Sequence, residues 1–257
     1  MRAIAALLDS RGALGAVRRS LPRNAPPVLA CRSLLGLQRA LASRLVEAIV
    51  LGAAAARSDA LVPLLARFPR VPIIVFGVIR SEDAESLLSW HRLELAGVAI
   101  VGVDDAVVGD LIMRETVTAR RANALDDAPR LLRLTEPLQR RGWEQLLMSP
   151  GRPPRTAALA RSLGVSREHL SRQFGAGGAP NLKRVADLLA VYAALDLLGN
   201  SGYDVNQVAR LLEFATPSHL RMVVRRITGL RLEEARRLGE EEVLSRFLKR
   251  GRSWQAN

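Results

Sequence analysis

The sequence predicts two domains of different class, an α/β domain on the N-terminal side and an all-α domain on the C-terminal side. Three observations carry this. Residues 1–105 alternate short apolar runs with helical segments, the rhythm of a parallel sheet wound with helices. From residue 155 onward the spacing is helical, and one pattern of two short helices about a tight turn occurs twice. With 257 residues the chain is long enough to bury two separate cores.

Candidate strands lie at 2–8, 27–31, 48–51, 73–78 and 98–103. Helices are expected between them at 12–20, 34–43, 59–68 and 82–95, with a further one over about 105–122. Ser81 ahead of Glu82, Asp83 and Glu85 is a helix start, with acidic side chains at the positive end of the dipole. Asp104 and Asp105 are expected to end the fifth strand and cap the next helix, an acidic site being the alternative. Residues 123–154 read as a helical linker. Asn123, Asp126, Asp127 and Pro129 interrupt the pattern, a helical stretch with Trp143, Leu146 and Leu147 follows, and SPGRPPR closes it. The expected division is therefore 1–122 for the α/β domain, 123–154 for the linker, 155–240 for the helical domain and 241–257 for a tail.

The first copy of the repeated pattern is ALARSLGVSREHLSRQF, Ala158 to Phe174. Ala160 is small enough to sit where two helices touch, Gly164 supplies a left-handed turn, and Val165, Leu170 and Phe174 close a small core. Ser166 is placed to cap the second helix, which leaves Arg167, Glu168, Ser171 and Arg172 outward. The second copy is VNQVARLLEFATPSHLRMVVRRI, residues 205–227. Val208 and Ala209 match Leu159 and Ala160, Phe214 matches Val165, Leu220 matches Leu170, and Val224 matches Phe174. It has one more residue between turn and anchor, and Glu213 stands in the place of Gly164. An apolar helix over about 182–198 connects the copies.

The net charge is +13, from 38 basic against 25 acidic residues, and the excess is concentrated in residues 151–257, with 18 basic and 10 acidic. A polyanionic partner rewards such a surplus through counterion release, although an arginine-rich composition without specific purpose is the plainer reading. Aromatics are only 4%, so base-stacking platforms are scarce. No apolar run reaches the length of about 18 residues that argues for a membrane span. The single cysteine, Cys31, has no partner for a disulfide, and no Cys/His cluster has metal spacing. A buried structural thiol and a cytoplasmic chain without metal, cofactor or catalytic residues are expected. A nucleophilic thiol would want a histidine, and His91, His169 and His219 are all distant in sequence.

Five strands, each followed by a helix, resemble the receiver domain of bacterial response regulators, a flavodoxin-like five-stranded parallel sheet, over about the first 120 residues. The resemblance implies a phosphoacceptor aspartate after the third strand, where AIVLG places Gly52. The implied hydroxyl and lysine positions fall near Gly77 and Val103, and only Asp9 echoes the acidic cluster that binds magnesium. Phosphoryl transfer needs a carboxylate and a cation, so a receiver-like domain that cannot be phosphorylated is expected. Another small α/β sandwich is the alternative. Receivers often pair through their fourth and fifth helices, here about 82–95 and 105–122, which implies a homodimer through this domain.

Two helix-turn-helix units joined by one helix resemble the DNA-binding domain of AraC-type transcriptional regulators, over about residues 155–237. LARSLGVSREHLSRQF, the Phe214 turn, Arg225–Arg226 and the closing TGLRLEEAR carry the resemblance. The chain departs from that family in a short GAGGAP loop, in lacking an arginine near Leu188, in Glu213 at the turn, and in Met222 where arginine is common. The resemblance implies that the second helix of each unit enters the major groove of double-stranded DNA. By it, Arg167, Glu168, Ser171 and Arg172 meet the first groove, Ser218, His219 and Arg221 the second, and Arg225 and Arg226 meet phosphate. A regulator of this kind also implies RNA polymerase as a partner. Two other classes stay open: an adaptor that binds protein with the same helices, and an enzyme, either a phosphotransfer protein or a DNA-repair thiol protein.

Overall fold

The computed structural model describes residues 1–78, 90, 93–149 and 154–252. The chain divides into two compact units, Met1–Arg120 with Asn200–Gly202, and Arg121–Gly199 with Tyr203–Asn257.

The first unit is built on five parallel strands, β1 (Arg2–Leu7), β2 (Val28–Ala30), β3 (Leu45–Leu51), β4 (Ile73–Gly77) and β5 (Gly97–Ile100). They lie in the order β2-β1-β3-β4-β5, the flavodoxin-like order with its switch point between β1 and β3. The sequence LVEAIVL of β3 is buried along its whole length, as an apolar strand covered on both faces must be. Ile4 pairs with Ala48 and Val50 with Ile74, so Ile4, Val50, Ile74 and Phe76 form one face of the core against Val17 and Ile112. Helix Arg11–Ser20 starts at Ser10, whose Oγ accepts from the Ala13 amide at 3.1 Å. Helix Leu34–Ser43 starts in the same way at Ser33.

Several elements differ from the sequence reading, each for a local reason. The helix expected over 59–68 is confined to Leu61–Leu65, and a separate short helix, Ala53–Ala56, precedes it; Pro63 is tolerated in the first turn of Leu61–Leu65 because its amide has no partner to lose there. β5 is shorter than expected because the chain turns after Ile100. The Asp104 carboxylate accepts from the Ile100 amide and the Asp105 carboxylate from the Gly102 amide, both at 2.7 Å. The two aspartates therefore pin this turn and cap no helix. The next helix begins at Val108 without a side-chain cap.

The helix expected over 105–122 is two, Val108–Glu115 and Val117–Ala124. Thr116 breaks it: its hydroxyl donates to the Met113 carbonyl at 3.0 Å and accepts from the Ala119 amide at 3.1 Å. The start of the second helix is held by Glu47, a buried carboxylate on β3 that accepts from the Thr118 amide and hydroxyl, both at 2.9 Å. A carboxylate at a helix N-terminus faces the positive end of the dipole. Asn123, read as a breaker, lies inside this helix. The helix start at Ser81, with Glu82, Asp83 and Glu85, lies outside the described residues.

The second unit is helical. Its centre is Leu182–Leu198, 17 residues capped by Asn181 and buried nearly all round, as a helix without a polar face must be. Helices Pro137–Leu147, Val205–Leu211, Pro217–Thr228, Leu232–Leu238 and Glu241–Arg252 pack on it. The last was expected as a tail. It is instead an amphipathic helix that buries Val243 and Phe247.

Candidate nucleic-acid interface

Both copies of the repeated pattern fold as two short helices about a turn. In the first, Thr156–Ser162 leads to Arg167–Phe174. Gly164 has φ +70°, the left-handed region that favours glycine. The Val165 amide then reaches back to the Ala160 carbonyl at 3.0 Å. Ser166 caps the second helix, its Oγ accepting from the His169 amide at 3.1 Å. Leu159, Ala160, Leu170 and Phe174 are buried. Val165 is only half-buried, and Leu163, which the sequence reading passed over, takes the buried place in this small core.

In the second copy Val205–Leu211 leads to Pro217–Thr228. The Phe214 amide donates to the Ala209 carbonyl at 2.8 Å, the same turn bond as Val165 to Ala160. Glu213 holds φ +58° where Gly164 holds +70°. Thr216 is the cap, accepting from the His219 amide at 3.0 Å, and Pro217 follows at the first helical position, where a missing amide costs nothing. Ala215 is the extra residue. Val208, Ala209, Leu220 and Val224 are buried, matching their counterparts.

The outward faces differ in how freely their side chains stand. Arg167, Glu168, Ser171 and Arg172 are all exposed and share one side of their helix. On the second helix Ser218, Arg221 and Arg225 are exposed. His219 turns toward the protein: it is half-buried, and its ring meets Phe214 edge-on at 5.7 Å. Arg226 is exposed but engaged with Asp187 of the central helix at 2.6 Å, a carboxylate that also receives Lys183 at 3.0 Å. The pair of Arg226 with Asp187 had no signal in the sequence, because the two are 39 residues apart. Met222 joins the exposed face of the second helix.

Behind the first copy lies a residue that sequence reasoning missed. Gln139, fully buried in helix Pro137–Leu147, donates through Nε2 to the carbonyls of Gln173, Phe174 and Ala176 at 3.0–3.1 Å. Gln173 and Phe174 end the reading helix, where carbonyls run out of intrahelical amides, and Ala176 opens the short turn that follows it. Its Oε1 accepts from the Glu136 amide at 3.1 Å, forming a capping box with Glu136. The box is visible in the sequence as Glu136 and Gln139; the reach to the other helix is not. Gly142 lies against the same helix, since a Cβ there would come within 2.7 Å of the Phe174 ring.

In the first unit, the positions equivalent to a receiver's active residues lie at the carboxyl ends of the strands. Asp9 accepts from the Ala54 amide at 3.2 Å. A Cβ built on Gly52 would overlap the Asp9 carboxylate, and one on Gly77 would lie 2.7 Å from the Cβ of Ala53. Val103 is exposed in the turn after β5. Cys31 is buried, its Sγ near the Leu29 carbonyl, and burial pushes the thiol up from its ordinary value. Among the described residues no group of three or more His, Cys, Asp or Glu could hold a metal ion. Among the same residues no helix is long and apolar enough to cross a membrane.

Residues 159–238 match the model of a family described as a helix-turn-helix domain, a span that takes in both copies. Among solved structures, full-length FixJ from B. japonicum is similar over 89% of this chain and 98% of its own, with 14% identity and a TM-score of 0.37. No curated protein matches the chain.

Proposed function

We propose that this chain is a sequence-specific DNA-binding transcriptional regulator of the AraC type, its helix-turn-helix domain taking double-stranded DNA as the partner. Helices Arg167–Phe174 and Pro217–Thr228 enter the major groove. The observation that carries the reading is the repetition of one turn. Two segments with different residues make the same backbone bond, Val165 to Ala160 and Phe214 to Ala209, and each is followed by a capped helix with an arginine-bearing exposed face.

In this reading Arg167 and Arg172 pair with guanine O6 and N7, Glu168 accepts from cytosine N4, and Ser171 serves either. On the second helix Ser218 and Arg221 face bases and Arg225 faces phosphate. His219 holds the turn and Arg226 the central helix, so neither is assigned a DNA contact. Selection from random duplex DNA should yield a preferred site. Binding to it should fall steeply as salt rises, whereas an adaptor that binds protein would show no salt-sensitive affinity for duplex. Replacing Arg172 by alanine should weaken specific binding by about 1–3 kcal/mol. An unchanged gel shift on the selected site would remove Arg172 from base reading.

The sheet domain serves as a receiver-like surface for control or pairing that does not take up phosphate. Gly52 supports this, because an aspartate there would have to displace the Asp9 carboxylate. Incubation with a small phosphodonor and magnesium should leave the intact mass unchanged. Val98, Val103 and Val107, all exposed and close in sequence in and after β5, favour a homodimer through this domain, and light scattering should give twice the chain mass. RNA polymerase as a second partner and the cytoplasm as location belong to the same reading.

A further inference from the structure

The exposed stripe of the second reading helix is Ser218, Arg221, Met222 and Arg225, spaced so that all four share one face. The opposite face is Leu220, Val223, Val224 and Ile227, all buried. Met222 is 55% exposed at the middle of the polar stripe, one turn beyond Ser218 and one turn before Arg225. An aliphatic thioether at that place neither pairs with phosphate nor donates to guanine, and its sulfur is only a weak acceptor. What it does offer is a flexible, polarisable apolar surface. The major groove presents one apolar feature that distinguishes a base pair, the C5 methyl group of thymine. On the DNA-binding reading, the flanking Arg221 and Arg225 supply the charge that brings the helix to the groove, which places the side chain between them at the base edges.

Resting on the DNA-binding reading above, we infer that Met222 is a specificity-determining residue, selecting thymine over cytosine by packing on the C5 methyl group in the major groove. The two reading helices then discriminate by opposite chemistry. Glu168 on the first favours cytosine through its N4 donor, and Met222 on the second favours a pyrimidine that carries a methyl group.

The test uses the full chain and the duplex it selects. Each thymine is replaced singly by deoxyuridine, which removes the methyl group and leaves every hydrogen-bonding atom in place. At one thymine the wild-type chain should lose about fourfold in affinity, the worth of one buried methyl group. Met222→Ala should bind the thymine and uracil duplexes equally at that position, and Met222→Leu should keep the preference. Putting cytosine there should weaken wild-type binding, and 5-methylcytosine should recover part of the loss. A uracil profile that is flat for the wild type, or identical in wild type and Met222→Ala, overturns the inference and leaves the DNA-binding reading standing. Failure to select any duplex, with no salt-sensitive affinity, overturns that reading and the inference together.

Discussion

The two helix-turn-helix copies reach one backbone geometry by different local means. The first spends a glycine on the left-handed position, caps its reading helix with Ser166 two residues later, and ends that helix after eight residues against Gln139. The second forces Glu213 into the same region, adds Ala215 before the Thr216 cap, and runs for twelve residues to Gly229 at φ +79°. What they share is a buried alanine in the first helix, Ala160 in one copy and Ala209 in the other, whose carbonyl receives the amide after the turn. The turn is thus specified by close helix approach and one hydrogen bond, and the identity of the residue at its apex is secondary. Support is where they diverge. The first reading helix is backed by Pro137–Leu147, the second by the central and C-terminal helices.

That difference in support is tested most strongly by truncating the anchor of each copy. Phe174 is fully buried against Gly142, so Phe174→Ala should cost about 3–5 kcal/mol. Val224→Ala, at the matching position, removes two carbons and should cost about 2 kcal/mol. Urea unfolding gives the totals, and hydrogen exchange shows which copy opens. The comparison breaks if both variants expose both copies alike.

A smaller effect isolates the clamp itself. Gln139→Leu keeps the volume and leaves three carbonyls and the Glu136 amide without a side-chain partner, an expected loss of about 1–3 kcal/mol. Amide protection around Gln173–Ala176 should fall while that of Pro217–Thr228 is retained. Equal losses in the two copies would mean that the clamp acts on the whole helical unit.

Much of this was legible in the chain itself, for reasons that follow from range. The sheet strands show because apolar runs in a doubly covered sheet need no partner to be recognised. Both turns show because Ala160 to Phe174 and Ala209 to Val224 are local spacings. Illegible features depend on residues distant in sequence. Gln139 meets carbonyls 34 to 37 residues away, Glu47 meets Thr118, 71 residues away, and Asp187 pairs with Arg226, 39 residues away. The resemblance to AraC-type domains implied an outward His219. Its ring instead meets that of Phe214 edge-on and is half-buried. The break at Thr116 was in principle readable, because a threonine hydroxyl that serves both neighbouring turns competes with a continuous helix.

The smallest expected effect concerns the apex of each turn and separates backbone strain from packing. A Cβ on Gly164 would meet no heavy atom within 4 Å, so Gly164→Ala tests conformation alone and should cost about 1 kcal/mol. Glu213→Gly relieves the matching strain in the second copy, but it also gives the unfolded chain more freedom to lose, a cost of about 0.4–1 kcal/mol. The two terms nearly cancel, leaving a change within about half a kcal/mol. The prediction is therefore an asymmetry: the alanine variant melts lower, the glycine variant melts close to wild type, and double substitution adds the two effects within error, since the sites share no partner. If Gly164→Ala costs nothing, the first turn does not need the left-handed region. If Glu213→Gly is strongly destabilising, the glutamate side chain contributes more than its backbone costs, and the two copies would then differ in kind at the apex as they already do in support.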